Sequence, residues 1–509
     1  MPSMIVDQFN RPYPSARERA QEMVRARWDA AQTTTDNQNH WLGADALSPQ
    51  AAATPWIRRT LRNRCRYECY QNNCFGSGIV RSIAYSVVGT GPRLQLLTPN
   101  ESHNQEVQAK FHAWAKTVKL ARTLRTARSA RAVDGETIVL QSINRRLRTP
   151  VKLWPRAIEC DHLTDPEGLF QSTSENDDGV FFDGAFPARY RITDRHPGDL
   201  DAAVLTYKDL DAEYVIHWFR PDRPGQQRGI PELAPALPLF ADLRRFTQAV
   251  IAAAETGADL AGVIETQGLG TEEQPSENIR TMEPIPIERR ALLALPKGWK
   301  AQAFKTEQPA TTYAMFRDAI LNEIARCVLM PMNLASGNSS NYNFASGRLD
   351  HKAWANLVAI ERDEIETDIL DTIFLWWLEE AMFVDSYLPD DLPAFADLSY
   401  RWLWDKEEYV DPAKEATFTE KMWNMGFLSD DEYLASRKID PKQHFERLAR
   451  DLERRRRLGL PLPGAVTADS LTDMEDEDEK EEAAGVAARM QRILDAYNGQ
   501  HGTTYALAN

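Results

Sequence analysis

Two long stretches with helical periodicity flank a polar one. In "TTYAMFRDAILNEIARCVLM" (311–330) and "HKAWANLVAIERDEIETDILDTIFLWWLEEAMFV" (351–384), apolar residues recur every three to four positions, the spacing of a helix with one buried face. Between them, "NLASGNSSNYNFASGRLD" (Asn333 to Asp350) is built mostly from small and polar side chains. A connection between packed helices needs only about 2–8 residues, so the pattern predicts a loop that presents something. Helical periodicity also marks 16–31, 55–73, 104–133, 233–258, 412–426 and 429–459. The helix over 55–73 is expected to carry its arginines on the wet side, and 104–133 to be basic on one face. The texture changes between Glu136 and Tyr214, where "ETIVLQSIN", "VKLWPRAIEC", "ARYRITD" and "EYVIHWF" are broken by Gly, Pro and Asp. These read as strands, as do "RLQLL" near Arg93 and the shorter "AGVIET" and "RRALLALP" within 259–310. The fold class is therefore mixed α/β, predominantly α-helical, with a β-rich subdomain.

At 509 residues the chain exceeds a single core, so two or more domains are expected. No run of 18 or more apolar residues occurs. The segment 369–384 is too short for a membrane span and carries Asp371, Glu379 and Glu380. It is expected to be a buried helix that also offers apolar material for contacts between copies. The first residues lack the apolar stretch of a secretion signal. Five cysteines, Cys65, Cys69, Cys74, Cys160 and Cys327, then suggest reduced thiols. Their C-x3-C-x4-C spacing fits helix packing better than a cluster or zinc site. The net charge of −15 argues against a broad grip on nucleic acid, which needs a basic surface, but not against letting it slide past.

Catalytic and ligand-binding patterns are incomplete. Gly337 to Arg348 has no G-K-[ST] ending and follows a helix rather than a strand. "ECDHLTD" brings Glu159, Asp161, His162 and Asp165 together in sequence, yet neighbours on a strand point to opposite faces. A strand end entering a turn is the expected structure, with no metal and no cofactor. Glu361, Asp363, Glu364, Glu366 and Asp368 interleave with isoleucines and read as the charged face of an amphipathic helix. Arg454, Arg455, Arg456 and Arg457 end the last helix, where the dipole favours them. They read as a solvated helix end, with a partner-binding basic cluster as the alternative. Beyond them, "DMEDEDEKEE" (Asp473 to Glu482) holds eight acids and has almost nothing to bury.

Four segments then occur in a telling order. "RNRCRYECYQNNCFGSGIVRSIAYSVVGTGPRLQL", "IECDHLTDP", the stretch from "FRPDRPGQQRGIPELAP" to "GVIET", and "ILNEIARCVLMPMNLASGNSSNYNFASGRLDHKAW" resemble successive elements of the lambda-type phage portal proteins. The resemblance runs from about residue 55 to 405. It implies a portal fold with wing, stem, clip and crown, and a non-enzymatic subunit of a ring of about twelve copies at one capsid vertex. Double-stranded DNA would enter and leave through that ring. Its partners would be the terminase large subunit, a head–tail adaptor, and the major capsid and scaffold proteins. Its location would be the virion, with host cytoplasm during assembly. Mapped onto this sequence, 1–50 is a polar N-terminal segment, and 51–232 with 346–405 forms the wing. Residues 233–258 and 311–330 are the stem helices, 259–310 the clip and 331–345 the channel loop. The crown helices occupy 406–460 and an acidic tail 461–509. Asn338, Ser339, Ser340, Asn341, Tyr342 and Asn343 would then face DNA. A nucleotide-driven packaging motor, or another ring or scaffold protein of the same particle, is the competing reading.

Overall fold

The computed structural model describes residues 34–167, 175–200, 205–258, 262–266, 299–303, 311–340, 343–389, 392–405 and 412–460. The chain divides into two compact units, Met1–Ala52 and Ala53–Asn509. In the first, Thr34 and Asn37 close a turn by bonding each other's backbone, and a single helical turn spans Pro49–Ala52.

The second unit opens with α1 (Pro55–Arg66), started by the Thr54 cap and Pro55 at its first position. A π-helical turn, Tyr67–Asn72, extends it, and Asn73 caps α2 (Cys74–Val88). Strand β1 (Arg93–Leu96) leads to α3 (Glu101–Thr117) and α4 (Leu120–Asp134). The single helix expected over 104–133 is thus two, broken at Lys119, whose φ is +57°. Strands β2 (Glu136–Ile143), β3 (Leu153–Ile158) and β8 (Val215–Phe219) form an antiparallel sheet with β2 in the centre. A second sheet joins β4 (Asn176–Asp177), β5 (Val180–Asp183), β6 (Phe186–Thr193) and β7 (Tyr207–Asp211) in chain order. The β-rich reading of 136–214 is correct.

Next come α5 (Leu237–Ala258), the hairpin-like pair β9 (Gly262–Thr266) and β10 (Trp299–Ala303), and α6 (Thr311–Cys327). The strand expected at "RRALLALP" lies outside the described residues. A short helix α7 (Met332–Ser336) precedes α8 (Phe344–Ile365), which runs through a π-helical turn, Glu366–Leu370, into α9 (Asp371–Met382). Strand β11 (Tyr400–Leu403) pairs with the distant β1. Helices α10 (Pro412–Asn424), α11 (Asp430–Ser436) and α12 (Pro441–Arg457) end the described chain.

The main core forms where α2, α3, α4, α8 and α9 pack around the β3–β2–β8 sheet and the β1–β11 pair. Its centre is aromatic: Phe111 lies within 5.3–5.7 Å of Trp114, Phe374, Trp377 and Trp402, mostly edge-on. The α9 residues Ile373, Phe374, Trp376, Trp377, Leu378 and Ala381 are all buried within the subunit. The apolar side chains expected to serve contacts between copies are therefore largely occupied, and only Met382 and Phe383 beyond them are exposed. Cys65 and Cys69 pack in this core as free thiols. A smaller core of Ile138, Leu140, Cys160, Leu163, Val180, Tyr190, Ile192 and Val215 joins the two sheets.

The arginines of α1 reverse the sequence expectation. Arg58 and Arg62 are each 2% exposed, and the face they share with Arg66 turns inward. Arg58 pairs with Asp177 at 3.1 Å, Arg62 with Asp161 at 2.7 Å and Glu136 at 3.2 Å, and Arg66 with Asp134 at 2.6 Å. Arg228 completes the cluster with a 2.6 Å pair to Glu136 and bonds to the carbonyls of Leu163, Asp177 and Asp178. Burial alone would raise the Glu136 pKa. The Arg228 charge, with hydrogen bonds from His217 and Arg228, overrides burial and holds the carboxyl well below its ordinary range. Two glycines permit this meeting. Gly135 closes α4 at φ +90°, and a Cβ on Gly229 would lie 2.1 Å from the Gly135 carbonyl oxygen. The backbones of 135 and 229 cross with no room for a side chain.

Arg128 and Arg131 of α4 and Glu361 of α8 are likewise buried against each other, while Asp363 and Asp368 are exposed. Arg128 holds Glu361 at 2.6 Å and Glu232 at 3.0 Å, while Arg131 holds Glu232 at 2.9 Å and Glu364 at 3.0 Å. Burial would push the Glu232 carboxyl up, but Arg128 and Arg131 bring it down to about 2. Glu361, expected on a solvated face, is 8% exposed, because its partners are on another helix.

Candidate functional site

The stretch 331–345 is more structured than its composition suggests. Met330 and Pro331 are buried, and Pro331 starts α7, whose Ala335 is also buried. Gly337 ends α7 in the left-handed conformation at φ +66°, its N–H donating to Asn333 O. Helix α8 begins at Phe344, with Gly347 N donating to Asn343 O at 3.0 Å. Seven residues, 337–343, therefore separate α7 from α8, within the length of an ordinary helix connection. Length alone does not single it out, contrary to the sequence argument. A five-residue helix hides within a polar run because it is too short to show a period.

Polar side chains shape the described part of this loop. Asn338 Oδ1 accepts from Ser340 N at 2.9 Å and from Ser340 Oγ at 2.7 Å, an Asx turn. Asn338 N donates to Asn333 O at 3.2 Å and Ser336 Oγ at 3.3 Å. Asn333 Nδ2 lies 3.3 Å from Ser339 Oγ and 3.0 Å from His351 Nε2, so one amide ties the loop's start to α8. Asn338, Ser339, Ser340 and Asn343 are exposed, while Asn341 and Tyr342 lie outside the described residues. The surface they offer is neutral, with hydroxyl and amide groups and no fixed charge. Asn333 and His351 were not predicted as site residues; 18 positions apart, they carry no spacing signal.

Arg454, Arg455, Arg456 and Arg457 occupy the last turn of α12, as predicted. Arg454, Arg456 and Arg457 are exposed, and Arg455 is half-buried with Asp451 Oδ2 at 3.4 Å. The loop and the arginines are thus held by different elements.

The residues of "ECDHLTD" follow the end of β3 into a 3-10 turn, Cys160–His162, so the expected strand end and turn are present, but strand alternation is not what separates Asp161 from His162. His162 Nδ1 lies 2.9 Å from Thr193 O, and Asp165 pairs with Arg191 at 2.9 Å. Glu159 and Asp161 do approach His196, with one ligand atom of each within 4.8 Å of the others. Arg62 and Arg66 already neutralise Asp161, however, and Arg66 also reaches Glu159 at 3.2 Å. Two guanidinium groups at those oxygens make this an ion-pair cluster.

Residues 48–357 match the family model of the phage portal protein, lambda family. The chain belongs to the lambda family of phage portal proteins. It is 24% identical over 308 residues to a probable portal protein of Halomonas phage phiHAP-1, an alignment covering 58% of this chain and 59% of that protein. The chain thus spans about three-fifths of the length of that relative. Among solved structures, the neck of a native gene transfer agent particle computed with C12 symmetry aligns over 76% of this chain and 95% of its own, at 14% identity and a TM-score of 0.42. The neck of the empty particle, computed with C6 symmetry, aligns over 75% and 94%, at 14% identity and a TM-score of 0.45.

Proposed function

We propose that this chain is the portal subunit of a tailed double-stranded DNA phage or prophage. Copies form a ring of about twelve subunits, closed by two different complementary patches on each subunit. The ring sits at one capsid vertex, and DNA is packaged and ejected through its centre. The terminase large subunit and a head–tail adaptor dock on it, and the major capsid and scaffold proteins surround it. It assembles in the host cytoplasm and remains in the virion. Its role is structural, without cofactor or catalysis. The observation that carries this reading is the family match over residues 48–357.

In this assembly, 51–232 and 346–405 form the wing, 233–258 and 311–330 the stem, and 259–310 the clip. Residues 331–345 are the channel loop and 406–460 the crown, flanked by the segments 1–50 and 461–509. Asn338 to Asn343 line the channel. Neutral amides and hydroxyls suit a passage for a polyanion, because a row of fixed cations would hold phosphates by counterion release.

Omission of this chain from a producing strain tests the function. Particles assembled without it should protect no DNA from nuclease, and supplying it in trans should restore protection. Normal DNA content without it would overturn the assignment, and DNA-stimulated ATP hydrolysis by the purified chain would favour a motor.

A further inference from the structure

The C-terminal helices meet the rest of the second unit across a cavity of about 190 Å³. One wall carries Arg93 of β1 and His112 of α3; the other carries Lys438, His444 and Arg447 at and beyond the entry to α12. Two arginines, two histidines and a lysine thus border one small space. The carboxylate among them, Asp440, is committed as the cap of α12, accepting from Gln443 N at 2.9 Å. Lys438 is also committed: its Nζ bonds Thr90 Oγ1 at 2.6 Å, Asp405 Oδ1 at 3.0 Å and the Gly91 carbonyl.

Arg93 and Arg447 are exposed at its edge, and neither forms an ion pair among the described residues. His112, half-buried, lines the same cavity, and its Nε2 has no hydrogen-bond partner among the described residues. Burial, then the nearby Arg93 charge, pushes the His112 imidazole down to about 4, so it is neutral at physiological pH. Two exposed arginines without ion pairs thus border the cavity together with an imidazole nitrogen that has no hydrogen bond. An oxyanion with an ionisable O–H satisfies both: its charged oxygens accept from the arginines, and its hydroxyl or proton is shared with the imidazole.

We propose that this cavity binds a phosphate-class oxyanion, either inorganic phosphate or the terminal group of a phosphomonoester. The anion bridges Arg93 on the body and Arg447 on α12, so its binding fastens the C-terminal helices to the rest of the subunit. This inference does not depend on the portal reading.

Titration calorimetry of the full chain at pH 7.5 in a zwitterionic buffer tests it, with inorganic phosphate, dAMP and sulfate as probes. Phosphate should bind saturably at one site per chain and raise the melting temperature with concentration. Arg93→Gln and Arg447→Gln should each weaken binding about tenfold or more, the loss of one charge-assisted hydrogen bond. Arg450→Gln, on the same helix but outside the cavity, should bind as the parent does. Sulfate, which has no proton to share at this pH, should bind more weakly than phosphate. Competition by dAMP would identify a monoester as an acceptable source, and its failure would restrict the site to the inorganic ion. Absence of saturable phosphate binding up to about 20 mM, or parental affinity in both arginine variants, would overturn the proposal.

Discussion

Replacing Glu136 by leucine is expected to destabilise the subunit by about 3–5 kcal/mol, the cost of leaving a buried charge unopposed. Glu136 is fully buried and takes bonds from Arg62, Arg228, His217 and the Gly229 N–H. Leucine removes the charge and leaves the buried Arg228 guanidinium without its carboxylate, while Arg62 keeps Asp161. Urea unfolding of the soluble subunit, followed by tryptophan fluorescence, reads the effect. Pairing Glu136→Leu with Arg228→Met should recover part of the loss, since removing both partners is far less costly than removing one. A Glu136→Leu protein as stable as the parent would show that the cluster does not organise the fold. The same chemistry sets an acid limit. Carboxyls with depressed pKa values stabilise the fold above the ordinary carboxylate value of about 4 and lose that contribution as pH falls. Glu232 and Asp161, each near 2, should therefore make stability fall between about pH 4 and 2.

That cluster also marks the boundary of what the sequence could tell. Arg58, Arg62 and Arg66 recur at helical spacing, the pattern of a solvated stripe, and nothing local distinguishes it from an inward one. Their acidic partners lie 68 to 119 residues downstream, at the end of α4 and on the strands and turns of the β-rich part. The amphipathic period located helices well because it is a local property. It located their faces badly where charge met charge in the interior. The pairing of β1 with β11 fails for the same reason: "RLQL" reads as a strand, but its partner Tyr400–Leu403 is some 300 residues away. At the candidate site, the two flanking helices and the polar gap were legible, and the helix α7 inside the gap was not. The proposal that the loop meets DNA rests on kinship with portal proteins, since a neutral Asn/Ser loop has the same composition wherever it faces.

Lysine at the loop is the second large effect. With Ser339→Lys and Ser340→Lys combined, each ring of about twelve subunits gains roughly two dozen positive charges at one level of the channel. Both positions are exposed, and neither side chain supports the core, so rings should assemble as before. Packaging should slow at least severalfold at low salt, because each phosphate passing the loop would release counterions and bind. Added salt should relieve part of the block, since such contacts weaken steeply with ionic strength. The Ser339→Ala, Ser340→Ala control removes weak neutral hydrogen bonds and should behave close to the parent. Nuclease-protected DNA in a defined packaging reaction gives the rate. Parental packaging by the lysine variant at low salt would remove the loop from the channel while leaving the family assignment in place.

The central claim is that this chain works as a closed ring around a passage. Electron microscopy of the purified full-length chain, viewed down the axis after negative staining, tests that claim most directly. The account predicts rings of uniform subunit number, about twelve, with a central hole wide enough for duplex DNA. A population of folded monomers across a wide range of concentration and salt, with no annular particles, would contradict it.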